Sequence, residues 1–170
     1  LGYAGPALNE ASKGVWLGLG EPVRDLPRAF APVTPPPTDV FDVSVFCAGC
    51  LVVGGPPFAT DPTAASRLAT HPAFEGWPLV VLTDEPRRAA ASPMNFLWTT
   101  FTRFEPARDI HARAVRLERL HPSFTPPVVI DARLKPGFPD ELVCDPATSA
   151  LVSGRWKEYF PDGGVEMGDS

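Results

Sequence analysis

The 170-residue sequence predicts an α/β fold, a mostly parallel sheet with flanking helices behind a proline-rich N-terminal lead. Short apolar runs alternate with helical segments along the middle of the chain, which is typical of parallel strands joined by helical crossovers. The 22 prolines and 14 glycines fall mostly between these segments. Their excess over average usage therefore marks the ends of elements and is compatible with a regular domain.

Composition excludes several classes of protein. Hydrophobic residues make up 44% of the chain and charged residues 21%, at a net charge of −5, so the chain does not have the composition of a disordered protein. No apolar run reaches the roughly 18 residues that span a bilayer, and no basic cluster indicates nucleic-acid binding. Three cysteines give no disulfide framework, which favours a cytoplasmic protein. Because the chain begins with Leu1, we expect that it was cut from a longer chain or processed.

The N-terminal region differs from the rest of the chain. We expect Ala4–Arg28 to be a partly helical, glycine-interrupted lead. Pro32 and Pro35–Pro37 then lie in an extended connector, because proline fixes φ and lacks an N–H donor. The predicted divisions are a lead and connector (1–40), an α/β domain (41–161) and a glycine-rich acidic tail (162–170) that we expect to fray.

Three apolar runs are predicted as strands. The first, Val43–Val53, is almost continuously apolar, as expected for one strand buried on both faces. A Gly-Gly-Pro-Pro sequence ends it. The second strand is Pro78–Thr83 and the third is Pro126–Asp131.

Two helices are predicted between these strands. Asp61 opens the first as N-cap, with a proline in the first turn, and His71 closes it. Ser92 opens the second in the same way. Apolar residues then recur with helical spacing, which predicts an amphipathic helix; they are Met94, Leu97, Phe101 and Phe104.

The sequence does not decide whether Asp109–Leu120 is a helix or a strand, because its apolar residues fit both the helical and the strand spacing. The remaining order of strands and helices predicts a Rossmann-like arrangement in three layers, with the helices flanking the sheet.

Cys47 and Cys50 form a lone Cys-Ala-Gly-Cys sequence. A redox pair would normally lie at a helix start, and a zinc site would need a second close pair of ligands. Both cysteines lie in the predicted first strand, so two buried packing side chains are the favoured interpretation. The remaining Cys and His residues are scattered, and we expect no metal site; they are Cys144, His71, His111 and His121.

Asp84 and Glu85 follow the second predicted strand, and open α/β sheets bind ligands at the carboxyl ends of their strands. Adjacent carboxylates on an extended chain point apart, so the two are not by themselves an acid–base pair. Loop solvation with helix capping is the favoured alternative. The glycine clusters lack the phosphate-binding patterns, and no Ser-His-Asp arrangement is recognisable.

The most specific segment runs from Asn95 to Ile110. On the predicted helix, Trp98 and Thr102 lie one turn apart, and Arg103 stands in the last turn, where a cation suits the helix dipole. Pro106 ends the helix, and Arg108 and Asp109 begin the next element. An Arg–Asp clamp that holds the helix and turn against the sheet edge is a sufficient structural interpretation.

This segment resembles the C-terminal domain of UbiD-type decarboxylases, which carries W-x-x-x-T-R-x-x-P-x-R-D after a strand that ends in acidic residues. The matching residues here are Trp98, Thr102, Arg103, Pro106, Arg108 and Asp109. Val129–Lys135 is similar to the later I-D-A-x-x-K segment of the family. Order and spacing agree over 43–135, whereas Leu120–Pro127 departs from the glycine-, serine- and lysine-containing stretch of many relatives.

The resemblance implies a function. Members of the family reversibly decarboxylate aromatic or α,β-unsaturated acids with prenylated flavin mononucleotide, a divalent metal and potassium. The catalytic residues and the flavin site lie on a central domain that has no counterpart here, while the C-terminal domain forms the oligomer interface and closes over the active-site cleft. This chain would thus be that domain, or a small subunit, of a carboxy-lyase. It would hold no catalytic residue and no cofactor alone, and would act in a homo-oligomer or with a partner that carries the flavin site.

Roles for single residues follow from the same resemblance. Arg103, Arg108 and Asp109 would hold the junction between elements, and aromatic side chains would pack on the sheet, namely Phe96, Trp98, Phe101 and Phe104. The candidate cleft-facing residues are Asp84, Glu85, Asp131 and Lys135. Two alternatives stay open: a non-catalytic α/β binding or assembly domain, and an independent small enzyme or nucleotide binder that uses the strand end at Asp84.

Overall fold

A computed structural model describes residues 21–118, 121–139 and 144–163. The strands of these residues are β1 (Phe41–Cys47), β2 (Cys50–Gly54), β3 (Leu79–Thr83), β4 (Ile110–Glu118) and β5 (His121–Asp131). The helices are α1 (Ala64–Thr70), α2 (Pro86–Ala91), α3 (Pro93–Arg103), α4 (Pro146–Gly154) and α5 (Trp156–Tyr159), and a single 3₁₀ turn spans Pro72–Phe74. The contacts divide the chain into two compact units between Gly137 and Phe138, so that α4 and α5 belong to the second unit.

The five described strands form a mixed sheet in the order β1-β2-β3-β5-β4. The central strands β2, β3 and β5 are parallel, whereas β1 and β4 each run antiparallel to their neighbour. The α/β class is therefore confirmed, and the mostly parallel sheet is matched only in its centre. The outer strands differ because each pairs with its neighbour in the chain as a hairpin, which places strands antiparallel.

The prediction of one strand over Val43–Val53 is wrong, because the chain reverses in the middle of this run. Ala48 and Gly49 form a two-residue turn, after which Cys50 lies opposite Cys47. Gly49 has φ +79, a value that the second central position of a type II turn requires and that glycine adopts without strain. A glycine inside an apolar run is a turn signal that outweighs the apolar pattern here.

The open segment before the third predicted strand is β4, and β5 begins at His121, earlier than the predicted start at Pro126. The outer half of β5 pairs with β4 and carries Pro122, Pro126 and Pro127, while only Val128–Asp131 also pair with β3.

The proline-rich connector agrees with its composition. Residues 29–40 contain neither helix nor strand, as the prolines predicted, and residues 21–28, the described end of the predicted partly helical lead, contain no helix. Most of the predicted lead (1–20) and of the tail (164–170) lies outside the described residues, and the domain boundaries at 40 and 161 remain predictions.

The capping signals are confirmed for α3 and not for α1. The prediction of Asp61 as N-cap is wrong, because α1 begins at Ala64 with Thr63 as its N-cap. Asp61 Oδ1 instead accepts hydrogen bonds from the Thr63 amide (3.0 Å) and hydroxyl (2.8 Å), which form a turn before the helix. Ser92 Oγ accepts the Asn95 amide at 3.1 Å and caps α3. The short α2 lies between β3 and α3 and was not predicted.

The core lies on both faces of the sheet, because successive residues of a strand point to opposite sides. One layer packs α1 and the 3₁₀ turn against the sheet, with Leu51, Val53, Leu68, Phe74, Val80, Leu82 and Val129 buried. The other packs α2 and α3 against it, with Val52, Val81, Ala89, Phe96 and Ile130 buried. The three-layer arrangement is thus present in the first unit, and it brings the carboxyl ends of β2, β3 and β5 to one edge.

Candidate functional site

The carboxyl edge of the parallel strands gathers most of the candidate residues. The register places Leu82 of β3 beside Asp131 of β5, so that Asp84 and Glu85 follow β3 next to the residues that follow β5. The end of α3 and the start of β4 reach the same edge, since the Lys135 amino group contacts both Arg103 and Asp109. Parallel strands thus bring together residues separated by up to 77 positions in the sequence.

A buried ion pair lies at the centre of this edge. The Arg133 guanidinium donates to both carboxylate oxygens of Asp131, from Nε at 2.8 Å and from Nη2 at 2.7 Å. Its remaining nitrogen, Nη1, donates to the backbone carbonyls of Pro56 (2.7 Å) and Asp61 (2.9 Å). Because both side chains of the pair are withdrawn from solvent, the guanidinium ties the end of β5 to the loop between β2 and α1.

Lys135 makes a second connection. Its Nζ lies 3.1 Å from Asp109 Oδ2 and donates to the carbonyls of Arg103 (2.9 Å), Asp131 (2.7 Å) and Arg133 (3.1 Å). Arg103 is the last residue of α3, and a cation at a helix C-terminus is favoured by the helix dipole. Lys135 therefore holds the exit of β5 against the end of α3 and the start of β4.

Asp84 and Glu85, which follow β3, each contact a residue from another part of the chain. Asp84 Oδ2 accepts the Leu134 amide at 2.6 Å, while Glu85 Oε2 lies 2.6 Å from Arg103 Nη2. Arg88 approaches the other Glu85 oxygen at 3.5 Å. Both acidic residues are half-buried, so part of each side chain remains in contact with solvent.

The residues of the Trp98–Asp109 motif contact partners outside the motif. Arg103 pairs with Glu85, and Asp109 pairs with Lys135 while its Oδ2 also accepts the Glu105 amide at 2.7 Å. The junction between α3 and β4 is therefore held by an acid and an amine that the motif does not contain. Arg108 is exposed, and Pro106 is half-buried after the helix end.

His111 lies on β4 near the same edge and is half-buried. Burial lowers the pKa of His111, against the opposing influence of the carboxylates of Asp131 and Asp109. The imidazole is therefore held in its neutral form to a lower pH than an exposed histidine.

These contacts hold the backbone in place and engage most of the charged side chains at this edge. The polar atoms of Asp131 and Arg133 are engaged within the chain, and the Asp131 side chain is 1% exposed. Asp131 therefore does not face a cleft on this chain, because its carboxylate is satisfied by Arg133. Whether Asp84, Glu85 and Lys135 face a cleft stays a prediction. Among the described residues, no group of three or more His, Cys, Asp and Glu side chains could hold a metal ion.

The sequence did not identify Arg133 as part of the site, although a signal was present. An aspartate at the end of a buried strand with an arginine two residues later can form a local pair, because residues two apart on a strand share a face. The carbonyl partners of Arg133 and Lys135 could not be found in this way, since they depend on loops distant in the sequence.

The apolar stripe of α3 faces outward. The exposed fractions are 71% for Met94, 51% for Leu97, 63% for Trp98 and 45% for Phe101. The buried side of the helix carries Phe96, Thr99, Thr100 and Arg103 instead. The predicted packing of the aromatic side chains on the sheet is thus wrong for Trp98 and Phe101, and holds for Phe96 and partly for Phe104.

Two contacts explain this orientation. The Phe96 ring stacks on Phe46 of β1 with centroids 4.0 Å apart, and Arg103 meets Glu85 at the end of β3. These contacts fix the rotation of α3, and they leave the regular apolar stripe on the opposite side. We call the stripe formed by Met94, Leu97, Trp98 and Phe101 the outer face of α3.

The chain is similar in sequence to several known proteins. No family model matches the chain. The chain is 40% identical over 162 residues to a 4-hydroxybenzoate decarboxylase subunit of Chlamydia pneumoniae, a match that covers 95% of this chain and 27% of the relative. Uncharacterized proteins of Chlamydia trachomatis and Chlamydia caviae are 40% and 38% identical over the same share of each chain. The chain therefore spans about a quarter of the length of the curated relatives it matches.

Among solved structures, vanillic acid decarboxylase of Sedimentibacter hydroxybenzoicus in an open form matches with 16% identity and a TM-score of 0.42, over 67% of this chain and 27% of that one. The resemblance to the UbiD-type decarboxylases that the Trp98–Asp109 segment indicated is confirmed by the sequence match to a decarboxylase subunit. Within the described residues, no helix has the length and apolar character to cross a membrane.

Proposed function

We propose that this chain is the oligomerisation and active-site-closing part, or a small subunit, of a cytoplasmic UbiD-like carboxy-lyase that acts on aromatic or α,β-unsaturated carboxylic acids. The observation that carries the proposal is the identity of 40% over 95% of the chain to a 4-hydroxybenzoate decarboxylase subunit. The match takes in only 27% of that protein, which is compatible with a catalytic centre on a part that this chain does not contain.

In this proposal the cofactors belong to the complete enzyme. Prenylated flavin mononucleotide, with a divalent metal and potassium, would supply the electron sink for loss of carbon dioxide. The described residues do not fit the metal. The cationic groups of the buried Arg133 and the partly buried Lys135 are already bound to carbonyls and carboxylates. We therefore assign to this chain no step of the reaction. In this proposal the charged residues at the carboxyl edge of the sheet hold α3 and the strand ends in place.

The outer face of α3 supports the interface role. It is a contiguous apolar surface on a helix, and large exposed apolar patches on soluble proteins mark sites of protein association. Tryptophan is among the residues that contribute most to such interfaces. The surface would contact a second copy of the chain or the domain that carries the flavin site.

The test uses the complete polypeptide or complex purified from its source. Native mass measurement establishes whether a longer chain or a co-purifying partner is present, and carbon dioxide release is then measured with 4-hydroxybenzoate and prenylated flavin. Release that depends on the presence of this region supports the proposal. A chain that runs alone and releases no carbon dioxide with any candidate partner would instead favour the non-catalytic assembly domain.

A further inference from the structure

The two cysteines of the β1–β2 hairpin lie on opposite sides of one tight turn. Cys47 ends β1, Cys50 begins β2, and the two residues are direct partners across the antiparallel pair. Cys47 is exposed, while Cys50 is buried with 4% exposure. The preferred interpretation as two buried packing side chains therefore holds for Cys50 and is wrong for Cys47, which ends the outermost strand β1, whereas Cys50 begins the inner strand β2.

This geometry matches the requirements of a disulfide. Opposite residues of an antiparallel pair have Cα atoms about 4.5–5.5 Å apart, and a disulfide joins Cα atoms that are about 4.4–6.8 Å apart. The pairing of Cys47 with Cys50 therefore places the two side chains opposite each other at a spacing that a disulfide can bridge.

The turn between the cysteines is restrained from three sides. The Gly49 amide donates to the Pro27 carbonyl at 2.8 Å, and the Gly49 carbonyl accepts the Leu79 amide at 3.1 Å. The Leu26 side chain lies against Gly49, where an added Cβ would be 3.1 Å from Leu26 Cδ1. These contacts keep the cysteines facing each other, so little conformational entropy is lost when they are linked.

The two thiols differ in how readily they react. Burial, with smaller contributions from the charge and hydrogen bond of Cys47, raises the pKa of Cys50 to about 12. Because the thiolate is the nucleophile, the exposed Cys47 reacts first with an oxidant and Cys50 follows. Redox-sensing cysteines are solvent-accessible and often lie next to a second, resolving cysteine, and the exposed Cys47 lies next to Cys50 in this way.

We propose that Cys47 and Cys50 form a reversible thiol–disulfide site whose oxidant is a small-molecule disulfide of the glutathione class. The Cys47 thiolate attacks one sulfur of the small disulfide, forms a mixed disulfide and expels one small thiolate. Cys50 then gives up its proton to solvent and attacks the Cys47 sulfur, which releases the second small thiol. Two protein thiols are oxidised and one small disulfide is reduced to two thiols. The site is independent of the proposed carboxy-lyase role, and in a reducing compartment its disulfide would be transient.

The experiment exposes the chain to oxidised glutathione, alkylates the remaining thiols after unfolding and digests with trypsin. The peptide between Arg28 and Arg67 contains Cys47 and Cys50 but not Cys144, so a disulfide appears there as the loss of two hydrogen atoms and of both alkylation sites. We expect this peptide from monomeric chain, with both thiols recovered after dithiothreitol. A wild-type peptide that carries glutathione, or that alkylates at both positions, would overturn the proposal.

Two variants test the assigned order of reaction. In Cys50→Ser, Cys47 should retain one glutathione because the resolving thiol is gone. In Cys47→Ser, the buried Cys50 should remain unmodified in the folded chain and alkylate only after unfolding. Glutathione on Cys50 of Cys47→Ser would contradict the order, and Cys144→Ser should leave the wild-type result unchanged.

Discussion

Asp131 and Arg133 form a bidentate ion pair although only one residue separates them in the sequence, and neither side chain is accessible to solvent. Asp131 is the last residue of β5, and Arg133 follows two residues after the strand ends. The pair is satisfied further by carbonyls of Pro56 and Asp61, so the guanidinium joins the end of β5 to the loop between β2 and α1.

Removing one member of this pair should strongly destabilise the fold. Arg133→Met leaves the Asp131 carboxylate buried without its counter-ion, and we expect a loss of about 3–5 kcal/mol in the free energy of unfolding, measured by urea titration. The matched control is Arg113→Met, which breaks a surface pair with Glu75 and should cost less than about 1 kcal/mol. Equal losses in the two variants would show that the buried pair is not the anchor described here.

The outer face of α3 should matter for association and little for folding. Trp98→Ala should change the free energy of unfolding by less than about 0.5 kcal/mol, because Trp98 is exposed. In the assembled enzyme the same change should weaken association by about 2 kcal/mol or more. Sedimentation of the assembled protein measures the second quantity, and an unaltered association constant would remove this face from the interface.

Phe96→Ala, on the same helix, should destabilise the fold, in contrast to Trp98→Ala. Phe96 is buried against Phe46, so the truncation should cost about 3–5 kcal/mol of folding free energy. If Trp98→Ala proved as destabilising as Phe96→Ala in urea titrations of the chain alone, the assigned rotation of α3 would be wrong.

His111 should make stability depend on pH. Because burial lowers the pKa of His111 below its ordinary value of 6.5, the unfolded chain takes up a proton before the folded chain does as the pH falls. Stability from this group is therefore present above about pH 6.5 and is lost below it. Between pH 7.5 and 5 the wild type should lose more stability than His111→Gln, in which the titration is absent. Parallel pH profiles of unfolding free energy for the two proteins would contradict the burial of the imidazole.

Gly49 and Gly137 offer a test of the hairpin turn. Both have positive φ, of +79 and +92, but an added Cβ meets Leu26 at Gly49 and nothing within 4 Å at Gly137. Alanine at either position carries the cost of left-handed backbone, about 1–2 kcal/mol. Thermal unfolding should show Gly49→Ala to be the more destabilised of the two, and the reverse order would argue against the clamped turn.

Local signals in the sequence predicted much of the fold. Ser92 and the proline after it cap α3 as expected, and the prolines of residues 29–40 exclude helix and strand there. The strand end at Asp84 could also be placed, because a buried apolar run followed by two acids indicates the carboxyl edge of a sheet.

Interactions between distant residues account for what the sequence did not predict. The rotation of α3 follows from Phe46 and Glu85, which no helical periodicity contains. The Lys135 amine donates hydrogen bonds to backbone carbonyls at the end of α3 and at the end of β5. These bonds depend on how two elements distant in the sequence meet. The Gly49 turn and the Asp131–Arg133 pair could have been found locally, and at Gly49 the apolar character of the run concealed the turn.

The prolines of β5 affect how the sheet meets other chains. In the described residues, the outer half of β5 has β4 on one side, while Pro122, Pro126 and Pro127 remove backbone donors along this half. A foreign strand that approached there would find an incomplete ladder of hydrogen bonds. The hairpin formed by β4 and the outer half of β5 is thereby protected from edge-to-edge association with other chains, to which an exposed strand edge is otherwise prone.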